Sequence, residues 1–117
     1  MTEELRHFVT EETKKLLAAP SVGKNARDAA KEWLAAAGTK DEDSATKAYV
    51  EELAQSIATI DELDAFAHSA DAVKYMGEAA AKGLIAHAEE IRKQGARYCD
   101  CPACAACGAI LEKFGRL

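Results

Sequence analysis

Aromatic side chains are scarce in this chain: three phenylalanines, three tyrosines and one tryptophan among 117 residues. That shortage argues against a sheet protein, whose strands favour β-branched and aromatic residues. Long apolar runs are missing as well. None approaches the roughly 20 residues of a membrane-spanning helix, so no membrane partner is expected. Basic clusters are also absent. Twenty acidic and fifteen basic residues are spread along the chain for a net charge of −5, which makes nucleic acid an unsuitable partner. The beginning, Met-Thr-Glu-Glu-Leu-Arg-His-Phe, lacks the charged-then-apolar order of a signal peptide, so the expected compartment is the cytoplasm. The chain has no Gly-rich phosphate loop, no His-Glu-x-x-His and no paired Glu-x-x-His of a di-iron bundle. No catalytic residue is therefore assigned, and the chain is not read as an enzyme.

Apolar residues make up 49% of the sequence, much of it alanine, which suits closely packed helices. At this length the whole chain, residues 1–117, is expected to form one domain. Thr2 is placed to cap a helix reaching about Ala19, with Leu5, Phe8, Val9, Leu16 and Leu17 on one face and Pro20 as its stop. Glu12 interrupts that stripe and is expected at the edge of the core. A second helix spans about Ala26 to Ala37. Ala26, Ala29, Ala30, Trp33, Leu34 and Ala37 keep the i, i+3, i+4 spacing, and Gly38 ends it. The polar run 39–44 reads as a loop, followed by a third helix to about Ile57.

Thr59-Ile-Asp-Glu62 has the form of a capping box opening a short helix whose expected buried side is Leu63, Phe66 and Ala67. Ser69 opens another short helix through Val73 and Met76, closed by Gly77. A long helix then runs from about Glu78 to Gln94, with Gly95 as its stop. Pro102 fits the first turn of a last helix ending near Phe114. No stretch alternates with period two. The expectation is an all-α, irregular bundle of about six helices.

All four cysteines fall within nine residues, Cys99, Cys101, Cys104 and Cys107, in the pattern C-x-C-x2-C-x2-C. Cys99 and Cys101 lie in the turn before the last helix, and Cys104 and Cys107 are one turn apart on it. Side chains three apart on a helix are about 5–6 Å from each other at Cβ, close enough to converge on one ion. The positive end of the helix favours the thiolates such an ion needs.

Three readings follow for a reduced, cytoplasmic chain. The first is metal binding, zinc ahead of an iron–sulfur cluster, whose common spacings this run does not match. The second is dithiol redox chemistry at Cys101-Pro-Ala-Cys104, which looks like the C-P-x-C sites of thioredoxin-like proteins but lacks a βαβ pattern around it. The third is a metal-free interaction module whose thiols cap and pack a helix. If one cysteine is left out, His87 is the best further ligand, because Leu84, Ala88 and Ile91 surround it on the long helix. His7 and His68 lie at the margins of their stripes. Asp100 is expected to stay solvated or to cap the last helix. A protein partner or a homo-oligomer is compatible with each reading.

Glu32-Trp-Leu-Ala, Ala86-His-Ala-Glu-Glu-Ile91 and Tyr98-Cys-Asp-Cys-Pro-Ala-Cys-Ala-Ala106 give the chain a further resemblance. It is similar to a family of small bacterial all-helical proteins with a C-terminal C-x-C-P-x-C motif, to which no activity attaches. Such proteins sometimes carry a label taken from the ninety-kilodalton heat-shock chaperone. This chain is far too short for that ATPase and has no nucleotide-binding motif. Relatives of this kind keep the first three cysteines and not the fourth, which puts the role of Cys107 as a ligand in question, while all four cysteines and His87 stay in the candidate ligand set.

Overall fold

The helix starts and stops written in the sequence are realised as seven α-helices and no strand in a computed structural model that describes residues 1–117. They are α1 (Glu3–Ala18), α2 (Lys24–Ala36), α3 (Glu42–Ser56), α4 (Ile60–Ala67), α5 (Ala70–Met76), α6 (Glu78–Lys93) and α7 (Pro102–Lys113). Thr2 caps α1 by accepting the Leu5 N–H at 3.1 Å. The capping box forms as read: Thr59 Oγ1 accepts the Glu62 N–H and Glu62 accepts the Thr59 N–H, each at 3.1 Å. Ser69 caps α5 by accepting the Ala72 N–H at 3.2 Å. Gly77 stands between α5 and α6 with φ +88°, a conformation that glycine adopts without a Cβ penalty.

The helices fall into two compact units. The first comprises residues 1–57 and 100–117. In it α1 packs against α2 and α7, and α3 packs against α2 and α7. Val9, Leu16, Trp33, Tyr49, Leu53, Ile110 and Leu111 are almost wholly removed from water. Burying each such large side chain contributes about 1.5–3 kcal/mol. Trp33 and Tyr49 stack with ring centroids 5.9 Å apart. The polar atoms of this core are satisfied: Trp33 Nε1–H donates to Thr46 Oγ1 at 2.8 Å, and Thr46 donates to the Glu42 carbonyl at 2.7 Å. The hydroxyls of Thr13 and Tyr49 meet at 2.9 Å, both buried. Glu12 lies at the core edge, with its carboxylate turned to Lys15.

The second unit comprises residues 58–99, in which α6 receives α4 and α5. Its core gathers Ile60, Leu63, Ala88 and Ile91, with Leu84, Ala96 and Cys99 packed around them. The segment after α6 runs beside the start of α4. Ile60 N–H donates to the Arg97 carbonyl and Cys99 N–H to the Ala58 carbonyl, each at 2.9 Å.

Two expectations need correction. Residues 39–44 are not all loop, because α3 begins at Glu42 rather than after Ser44. The cause is tertiary: the Glu42 side chain is drawn inward by Arg6 and by the Gly38 N–H. Phe66 is exposed rather than buried. At about 100° per residue, α4 faces α6 through positions 60, 63 and 67, which puts position 66 roughly 90° to one side.

Candidate metal centre

The cysteine segment follows directly from the way α7 starts. Pro102 occupies its first turn, so the residue before it must be extended, and Cys101 is so, with φ −61° and ψ 160°. That places Cys101 at the N-cap, where its sulfur accepts the Cys104 N–H at 3.4 Å. Asp100, expected to stay solvated or to cap the last helix, is exposed, and the Cys101 thiol is the cap. A second donor reaches the same sulfur from the α1–α2 turn, the Ser21 hydroxyl at 3.3 Å. Ser21 precedes Cys101 by 80 residues, and no local pattern in the sequence announces it.

Cys99, Cys101 and Cys104 converge. Their three sulfurs lie within 4.8 Å of one another. All three residues are partly buried. A tetrahedral zinc with Zn–S bonds of about 2.3 Å holds its sulfurs about 3.8 Å apart. The donor set is soft thiolate, which suits zinc and other thiophilic metals.

The other two expected ligands are placed differently. Cys107 is buried, with 3% of its surface exposed, beside Ile110 and Leu111 in the face of α7 that the first unit covers. Burial pushes its thiol up to about 11, and negative charge on Cys101 adds to the rise. A thiol held protonated in this way is a weak ligand and a weak nucleophile. His87 is exposed on α6, on the flank of the stripe formed by Leu84, Ala88 and Ile91.

A cleft of about 420 Å³ opens in the first unit beside the cysteine segment. Cys104, Cys107, Ser21, Asn25 and Gln55 contribute to its walls. Of the three converging cysteines, Cys104 lines this recess, in which a small molecule has room. No helix is long and apolar enough to cross a membrane. No protein family, curated protein sequence or solved structure matches the chain.

Proposed function

We propose that this protein binds one zinc ion through the thiolates of Cys99, Cys101 and Cys104. The observation that carries the reading is the convergence of those three sulfurs within 4.8 Å. Three ligands gathered around one point suit a single ion. An iron–sulfur cluster distributes its cysteines over separate irons and asks for a wider set. The fourth coordination place is left to water or a small exogenous ligand, because Cys107 is committed to the core of the first unit. The implied relationship to small bacterial helical proteins with the C-x-C-P-x-C motif belongs to the same reading, and so does a reducing, cytoplasmic setting that keeps the thiols available. The protein acts here as a metal binder, with no assigned substrate.

Elemental analysis of protein purified without chelator or added metal tests this. About one zinc per chain and no visible absorbance are expected. Serine at position 99, 101 or 104 should each abolish retention, and serine at 107 should not. Iron with broad visible absorbance would replace zinc by a cluster, and protein that neither carries nor takes up metal would end the reading.

A further inference from the structure

Cys101 and Cys104 are three residues apart across the first turn of α7, where side chains at that spacing face each other. Their sulfurs belong to the group within 4.8 Å, and both residues are partly exposed. Cys104 lines the 420 Å³ cleft, and so does Ser21, whose hydroxyl is bonded to the Cys101 sulfur. A recess of that size accommodates a small molecule against Cys104, with Cys101 reached through Ser21 on the same wall.

We infer that a small-molecule disulfide entering this cleft discharges the zinc site by oxidising Cys101 and Cys104 to a disulfide. The inference rests on the zinc reading and gives that site its regulation. Coordination keeps both sulfurs deprotonated, so both are nucleophiles without a separate base. The Cys104 thiolate, in the wall of the cleft, attacks one sulfur of the small disulfide. That S–S bond breaks, a small thiolate leaves, and a mixed disulfide forms on Cys104. The Cys101 thiolate then attacks the Cys104 sulfur, releasing the second small thiolate and closing Cys101–Cys104. Two electrons pass from the cysteine pair to the small disulfide, two thiolates are consumed and two produced, and no proton is required.

The ion loses two of its three sulfur ligands in this step. Cys99 alone does not hold it. Cys107 does not substitute, because its thiol is packed in the core with Ile110 and Leu111. The two donors that face Cys101, the Ser21 hydroxyl and the Cys104 N–H, stabilise the thiolate to which reduction returns it, which makes the change reversible.

The experiment uses the full chain. Its zinc content is measured first, oxidised glutathione is added in excess, and free zinc is followed with a chromogenic indicator. Unreacted thiols are then alkylated and the disulfide is located by tandem mass spectrometry. The expected result is loss of the bound zinc, about one ion for each Cys101–Cys104 disulfide, with full return of binding capacity after reduction. Retention of zinc by loaded protein, or a disulfide that joins any other pair, overturns the inference. Failure to load zinc before any oxidant is added is a different failure. It removes the zinc reading itself and, with it, the release step.

Discussion

Glu42 and Arg6, 36 residues apart in the chain, form a two-pronged ion pair: Arg6 Nε–H donates to Oε2 at 2.5 Å and Nη2–H to Oε1 at 3.0 Å. Glu42 Oε2 also accepts the Gly38 N–H at 2.6 Å, and only 7% of the side chain is exposed. One carboxylate therefore ties the start of α1 and the end of α2 to the start of α3. Hydrogen bonding from Arg6, with the Gly38 N–H second, lowers its pKa from an ordinary 4.5 to about 2. A lowered carboxyl pKa stabilises the folded state fully above the unfolded value, and that contribution is lost as pH falls from about 4.5 to about 2.

Glu42→Gln is accordingly expected to destabilise the protein at neutral pH, and the gap to wild type should close in acid. Urea denaturation of both proteins between neutral pH and pH 2 checks this. A gap that stays constant with pH would show that the charge of Glu42 is not what stabilises the junction.

Trp33 is completely buried, stacked on Tyr49 and hydrogen-bonded to Thr46. Trp33→Ala leaves a large cavity and an unpaired Thr46 acceptor, for an expected loss of about 3–5 kcal/mol. Tyr49→Phe is subtler, because it removes only the partner of the Thr13 hydroxyl; a loss of about 1–3 kcal/mol is expected. Chemical denaturation followed by circular dichroism measures both. Equal effects from the two variants would mean that the hydroxyl pair, and not ring packing, dominates this part of the core.

Cys107 should differ from the other thiols in its reaction with iodoacetamide. In metal-free folded protein at mildly alkaline pH, Cys99, Cys101 and Cys104 are expected to be alkylated while Cys107 is spared until the chain unfolds. Burial and a thiol pKa raised to about 11 both protect it. Cys107→Ser places a hydroxyl in the core, with an expected cost of about 1–3 kcal/mol. Zinc content of that variant should stay at wild-type level, and a clear loss of zinc would make Cys107 the fourth ligand.

The capping box of α4 gives a local test in the second unit. Thr59→Ala removes the acceptor for the Glu62 N–H and is expected to cost about 1 kcal/mol. Amide hydrogen exchange should show α4 opening more readily, and unchanged exchange there would mean that packing of Ile60 and Leu63 on α6 holds the helix end without its cap.

The sequence by itself determined the helices and the place of the thiol site. Capping residues, glycines and prolines act through bonds within one turn of chain, so Thr2, Thr59, Ser69, Gly77 and Pro102 announce their roles locally. The nine-residue cysteine run brings its own sulfurs together for the same reason. Tertiary structure decided what local pattern does not encode. Glu42 looks like one acid in a polar run, and only the arrival of Arg6 from α1 makes it buried. Cys104 and Cys107 share the same spacing rule, yet the face of α7 that carries Cys107 is the one packed within the first unit, so Cys104 joins the converging sulfurs while Cys107 is almost wholly buried. His87 and Phe66 carry apolar neighbours at helical spacing, and each lies on the flank of its helix because the docking direction is set by the partner helix. Ser21 reaches Cys101 from 80 residues away, a contact that exists only once α7 has packed in the first unit. Contacts across long stretches of chain depend on which helix faces which, and that is fixed by the packing of the whole core rather than by any one segment.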